Sequence, residues 1–418
     1  MKVIIAGAGI GGLTAALSLN KYGIEVKVFE SVSELSPLGV GINVLPHASR
    51  ELIALGLQDK LDSFAIRTTS MQYFTRRGKQ IISVPCGEHA GYNWPQYSLH
   101  RGEFQMMLLA TLRQRAGDDS VVSGHQLSGF EQDEHGVTAS FVDPSGRQLP
   151  DQRGDILIGA DGLHSTARKQ LYPDEGAPVY SGMICFRGAV VGDPYLDGQS
   201  MIICGDKRLR LVSYPISRRE KDQGRSHINW IAAVPFATDK PQEENWNKET
   251  NADNLLELYE DWDFNWLNVP DLIHQTEQIF EFPVYDRDPL QRWTFGRVTL
   301  LGDAAHPLIP VSSSGAVHAI IDGRALAYAL AKNKDAQTGL QAYQQDRLPK
   351  ANHVVVASRQ NGPDEVLEIV REKCPEDAEN IHEYVDKQLL QGVIDGFKER
   401  SGFAIDTLNK LDSYDLTD

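Results

Sequence analysis

Three glycines within the first dozen positions of this 418-residue chain carry its clearest chemical signal. Gly7, Gly9 and Gly12 follow the short apolar run at residues 3–6 in GxGxxG spacing, and a helical apolar stripe starts at Leu13. In that order the first glycine permits a tight turn, the second lets the backbone approach a pyrophosphate, and the third lets a helix pack closely on a strand. The helix N-terminus then offers unpaired N–H groups and partial positive charge to the phosphates. A second apolar run, residues 26–29, ends on Glu30, whose carboxylate is placed to accept hydrogen bonds from the two hydroxyls of a ribose. A carboxylate there repels a 2′-phosphate, so the site fits NAD or FAD better than NADP. The motif alone leaves the choice between those two open.

Other residues stand where chemistry is expected. Arg101, at the entrance to the apolar helix 104–112, is placed to reach an anionic cofactor. Asp161 and Gly162 follow the buried-strand run 155–160, the position at the carboxyl end of a parallel strand where such sheets bind ligands. Asp303, in the Gly302-Asp303 turn after the run 298–301, puts a carboxylate beside a helix that begins near Gly315, and that helix end can stabilise negative charge on a reduced ring. His306 reads more readily as a packed, loop-stabilising histidine than as a base. The glycine-bearing loop 38–43, with Gly41, allows close approach to a flat ligand or is a plain loop.

The elements that must position these residues fall into two patterns. Short buried strands alternate with helices at the front and again after Arg297, as in a parallel α/β sheet. Between them, residues 183–190, 201–204, 209–216 and 228–236 read as longer, mainly antiparallel strands, and 71–84 as a hairpin turning at Arg77-Gly78. Residues 217–226 read as a solvated loop and 251–266 as a helix. From 340 onward the pattern is helical, a cover for the core or an oligomer contact. With 41 basic and 57 acidic residues the net charge is −16, which argues against nucleic acid and anionic membranes as partners. The four cysteines form no CxxC pair, so reduced packed thiols are expected, with no metal site. The chain enters its first strand without a signal segment and has no bilayer-length apolar run, so a cytoplasmic location is expected.

Taken in order, Gly7-Gly9-Gly12, Arg101, Asp161-Gly162 and Gly302-Asp303 make the chain resemble the single-component (class A) FAD-dependent aromatic monooxygenases over about residues 1–360. Stretches 38–43, 97–105, 261–266, 286–290 and 296–306 make it most similar to the phenazine-modifying members. The resemblance implies an α/β (α+β) fold: a Rossmann-like FAD-binding domain (1–75, 96–179 and 283–360), a mainly antiparallel substrate-binding sheet domain (76–95 and 180–282), and C-terminal helices (361–418). It implies that Gly7, Gly9, Gly12, Glu30, Gly41, Arg101, Asp161, Asp303 and Gly315 serve FAD, with Asp161 also serving the nicotinamide cofactor. Pro310 would line the reacting face of the flavin. Arg210 would contact substrate, and Tyr214 lies two pleats further along the same strand face.

The implied reaction is hydroxylation of an aromatic or heteroaromatic, possibly carboxylated, small molecule through a flavin hydroperoxide. NADH or NADPH visits transiently and O2 is consumed; carbon dioxide is lost if the attacked ring carbon bears a carboxylate. Phe186, Tyr214 and Trp230 are expected in the dry wall such chemistry needs. The chain departs from the family where Ser312 replaces a glycine and Val317 a polar residue. Two other readings stay open: an FAD-dependent oxidase or dehydrogenase without oxygen insertion, and a flavin-binding sensor with little turnover. A monomer or homodimer is expected.

Overall fold

The computed structural model describes residues 1–235, 248–250, 252–310, 314–360 and 362–416. Phe236, expected at a strand end, and Ser312, in the departure from the family, lie outside the described residues.

A five-stranded sheet forms the first layer, in the order Val298–Leu300, Ile156–Gly159, Lys2–Ala6, Glu25–Phe29, Val121–Val122, with every pair parallel. Val3, Ile4, Ile5, Ile156, Leu157 and Ile158 are all fully buried, which is why these strands read as unbroken apolar runs: helices and the antiparallel strands Gln126–Gln132 and Val137–Val142 both pack against the parallel sheet. Helix Ile10–Lys21 packs against both Arg101–Ala116 and Ser314–Lys332. Val317, the residue that departs from the family's polar position, is fully buried in this core, where its bulk serves packing.

An eight-stranded sheet forms the second layer, in the order Lys248–Thr250, Ile279–Asp286, Val179–Gly192, Ser226–Pro235, Leu209–Pro215, Met201–Asp206, Ser70–Phe74, Gln80–Pro85. Its pairs are antiparallel except Met201–Asp206 with Ser70–Phe74. The hairpin 70–85 therefore enters this sheet whole; the boundary drawn at 75/76 falls in its turn, and that at 282/283 falls within strand Ile279–Asp286. Register pairs Arg210 with Ala233, Val212 with Ile231, and Cys185 with Ala233. The two-residue period of the pleat puts these side chains on one face and Leu211, Trp230 and Phe186 on the other. On that other face Trp230 donates its indole N–H to Thr276 Oγ1 at 2.9 Å and joins a core with Tyr259 and Trp262. Phe186 packs against the same core. Both were expected in a substrate-facing wall and stand on the opposite side of the sheet.

Three local readings change. Gly41–Val44 is a strand paired with Tyr97–His100, Arg218–Asp222 forms a short helix, and the stretch read as one helix to 266 is helix Asp253–Tyr259 followed by the small hairpin Asp263–Phe264 and Leu267–Asn268. The C-terminal part is helical as expected, in Ala336–Ser358, Glu365–Lys373, Lys387–Arg400 and Ile405–Leu408. Val366, Leu367 and Val370 pack on Tyr73, Ile82 and Ile203 of the second sheet. All four cysteines are free thiols, three of them buried. Among the described residues no helix is long and apolar enough to cross a membrane.

Candidate active site

A cleft of about 490 Å³ opens at the carboxyl ends of the parallel strands and is bordered by Gly7, Gly9, Glu30, Arg101, Gln105 and Asp161. The three motif glycines are needed for different reasons. Gly7 has φ +106°, and a Cβ there would stand 2.3 Å from the Ala160 carbonyl oxygen. A Cβ on Gly12 would stand 2.1 Å from the Gly7 carbonyl oxygen, where helix meets strand. Protein packing alone thus demands these two. Gly9 differs: no protein atom lies within 4 Å of its Cβ position, and its φ of −67° is open to any residue. Its missing side chain leaves space on the cleft side, as a backbone laid against a pyrophosphate requires.

Around that turn the carboxylates are anchored. Glu30 accepts the Ala8 N–H at 2.8 Å on one oxygen and the Ser31 hydroxyl at 2.9 Å on the other, which fixes it between the first two strand ends. Asp161 accepts the Ser165 hydroxyl and the N–H groups of Thr166 at 2.7 Å and Ala167 at 3.2 Å. Burial pushes this carboxyl up and the donors pull against it. Both its oxygens are engaged within the chain, so it shapes the 161–165 loop that lines the cleft.

Arg101 is the first residue of its helix, and its backbone N–H donates to the Val40 carbonyl at 2.8 Å. It borders the cleft, and both it and Asp303 are exposed. Desolvation by surrounding protein lowers the guanidinium of Arg101 and the nearby Asp303 charge opposes that shift. Gly315 heads helix Ser314–Lys332, its Cβ position 3.9 Å from Asp303 Oδ1. Packing also demands glycine at 41: a Cβ there would meet Tyr214 at 2.5 Å and Asn229 at 2.7 Å, and its N–H donates to Asn229 Oδ1 at 2.7 Å. What requires glycine at 41 is the close approach of its strand to the eight-stranded sheet, and Gly41 is not among the residues bordering the cleft.

Beneath the Gly302-Asp303 turn lies a buried ionic cluster. Asp322, fully buried, accepts the Gly302 N–H at 3.2 Å, the His306 Nε2–H at 2.5 Å and the Arg347 Nε–H at 2.8 Å. Burial alone would raise this carboxyl, but His306 and Arg347 outweigh it and hold it well below the usual carboxylate range. Burial, then Arg50 and Arg347, push His47 down to about 3, and burial with Arg347 likewise depresses His318. Arg347 thus has neutral imidazoles for neighbours, and His306 is the packed, turn-stabilising residue the sequence suggested.

On the open face of the eight-stranded sheet, a cavity of about 140 Å³ brings Arg210, Tyr214 and Pro310 together. Its wall is mostly apolar, including Met183, Cys185, Met201, Ile203, Val212 and Phe282. Arg210 Nη1 donates to Asp364 Oδ2 in an ion pair whose side chains are 15% and 11% exposed. The far wall comes from the C-terminal segment: Asp364, Ile394, Phe397, Lys398 and Phe403. From sequence that segment reads as a cover for the core or an oligomer contact, and its apolar stripes give no sign of a cavity wall. Asp322 did leave a trace in the sequence, as an acid in the middle of the apolar helix 316–330.

The sequence profile described as FAD binding domain matches residues 1–358. A phenazine 1,6-dicarboxylic acid hydroxylase of Lysobacter antibioticus is 44% identical over 361 residues, 85% of this chain and 89% of that protein. A 3-hydroxybenzoate 6-hydroxylase of Polaromonas naphthalenivorans is 30% identical, covering 87% of each. Among solved structures, Klebsiella pneumoniae HpxO complexed with FAD and uric acid superposes with a TM-score of 0.75 at 25% identity, covering 98% of this chain and 96% of that one.

Two expectations follow. Because Gly9 faces open space, Gly9→Glu should fold normally, with the melting temperature of the flavin-free wild type, yet purify without bound flavin; a yellow variant with the wild-type 450 nm to 280 nm absorbance ratio removes Gly9 from the phosphate turn. Asp322→Asn leaves Arg347 buried without its counter-charge and should lower stability by about 3–5 kcal/mol in urea titration at pH 7. Since the folded state depresses the Asp322 carboxyl, its contribution is present above the ordinary carboxylate value of about 4 and fades as pH falls below it. The gap between wild type and variant should therefore narrow in acid, and a gap independent of pH contradicts an ionised Asp322.

Proposed function

The chain belongs to the FAD-dependent aromatic hydroxylases, and we propose that its substrate is a carboxylated heteroaromatic of the phenazine type, hydroxylated at the expense of NAD(P)H and O2. The observation that carries this reading is the apolar cavity on the second sheet, with Pro310 in its wall and its few charged groups gathered on Arg210 and the C-terminal segment. The 44% identity to a phenazine dicarboxylic acid hydroxylase supports the ring type.

FAD, when bound, supplies the electron transfer and oxygen activation that side chains cannot. The chain's own part is to hold and enclose. In this reading the Gly7-Gly9-Gly12 turn and its helix N-terminus take the pyrophosphate, Glu30 the ribose, and Arg101 and Asp303 the chain between the ring and phosphate. Asp161 holds its loop in shape. Gly315, at the helix head, leaves room for backbone to approach the ring. Pro310 and Tyr214 fix the plane of the substrate, and the methionine, isoleucine and phenylalanine wall excludes water, which would divert activated oxygen into peroxide.

The test is isotopic. Phenazine carboxylates incubated with FAD-loaded protein, NADH or NADPH, and ¹⁸O2 should give product carrying one ¹⁸O atom, with substrate-stimulated consumption of the nicotinamide cofactor. Product without label means an oxidase or dehydrogenase. No consumption with any ring acid means a flavin-binding sensor.

A further inference from the structure

Lys398 sits in the cavity wall in an electrostatic position that Arg210 lacks. Three charged side chains line the cavity among the described residues: Arg210, Asp364 and Lys398. Arg210 is already compensated. Its guanidinium donates to Asp364, and both groups are largely shielded from water. Pulling such a pair apart exposes two desolvated charges to the loss of their mutual attraction, so the pair resists opening. Arg210 is therefore a poor first anchor for an incoming carboxylate.

Lys398 is held differently. It projects from helix Lys387–Arg400 with its side chain 14% exposed. Its nearest carboxylate, Asp395, stands 3.8 Å away, beyond hydrogen-bond reach, and is itself 53% exposed to water. The Lys398 charge is felt by the Cys86 thiol on the inner wall of the same cavity. With Arg210 and Asp364 cancelling, the cavity carries one further positive charge, Lys398, whose only paired carboxylate among the described residues is the half-exposed Asp395. A single carboxylate on a flat ring complements that arrangement. A second would have to open the Arg210–Asp364 pair.

We propose that Lys398 is the anchor for the substrate's carboxylate, and that Asp364, by occupying Arg210, restricts the cavity to rings bearing one carboxylate. This rests on the aromatic-acid reading of the same site and narrows it. Both residues lie beyond residue 358, where the family profile ends, so this selectivity belongs to the chain's C-terminal segment.

The experiment is equilibrium titration of the FAD-loaded protein, followed by the change in flavin absorbance, with phenazine, phenazine-1-carboxylate and phenazine-1,6-dicarboxylate. Wild type should bind the monocarboxylate more tightly than either of the others. A charge-assisted hydrogen bond is worth about 1.5–3 kcal/mol, so Lys398→Gln should weaken monocarboxylate binding roughly tenfold or more relative to phenazine. Lys398→Arg should retain most of the preference, which separates lost charge from lost folding. Asp364→Asn should shift the ratio of dicarboxylate to monocarboxylate affinity roughly tenfold toward the dicarboxylate. If Lys398→Gln binds all three with the wild-type ratios, the anchor is not Lys398. If no ring acid perturbs the wild-type flavin while NAD(P)H still reduces it, the substrate reading itself fails, and this inference with it.

Discussion

A single buried carboxylate, that of Asp322, ties together the segments on which the site depends. It lies in the middle of helix Ser314–Lys332, which also buries His318 and Arg324, and it binds the Gly302 N–H, His306 and Arg347. A charge with no access to water is costly to bury, and it is tolerated only when its lone pairs are filled and a counter-charge is close. Here the partners come from the strand-end turn, from the loop that follows and from helix Ala336–Ser358. The turn that presents Asp303 is consequently fixed from below by an interaction it cannot leave cheaply. Depression of His47 and His318 by the same surroundings keeps further positive charge away from Arg347. The first layer thus offers a rigid edge to the cleft.

The second constraint is the seam between the layers. Gly41 brings its strand so close to the eight-stranded sheet that its N–H reaches Asn229, and any side chain there would strike Tyr214. Asn229 and Tyr214 are register partners on neighbouring strands. One contact therefore sets where the cavity face of the second sheet stands relative to the loop 38–40, against which Arg101 packs. A glycine that the sequence linked to a flat ligand is a joint between two protein surfaces, and through that joint the cavity and the cleft hold a common frame.

Much of this was legible in the chain because it is encoded locally. Strand, glycines, helix, strand and acid occupy thirty consecutive residues, and the two-residue alternation of 209–215 correctly paired Arg210 with Tyr214 on one face. Which face Phe186 and Trp230 take depends on the register between strands, which alternation within a single strand does not supply. Hidden from the sequence were contacts between distant segments. Asp364 lies 154 residues from Arg210, and nothing in a helical apolar stripe says which surface it will cover. Gly41 looked like a loop residue because the partner of its strand, Tyr97–His100, lies more than fifty residues away.

Those long-range contacts also resolve a conflict inherent in the chemistry. Oxygen transfer from a flavin calls for a dry, apolar enclosure, whereas holding an aromatic acid calls for positive charge inside it. Two free cations facing one apolar cavity would repel each other and draw in water or counter-ions. Pairing Arg210 with Asp364 removes one of them at the cost of a single internal ion pair and leaves the wall nearly neutral. The remaining cation, Lys398, enters on a flexible stem whose methylene groups extend the apolar surface while the ammonium reaches the ligand. Substrate binding then completes the charge balance of the cavity, so the enclosure is driest and best compensated when the ring is in place. An empty cavity, by contrast, leaves Lys398 with only the half-exposed Asp395 as partner. In this arrangement the ligand's own carboxylate is the last element of the wall, which links recognition of the acid to exclusion of solvent from the reacting face.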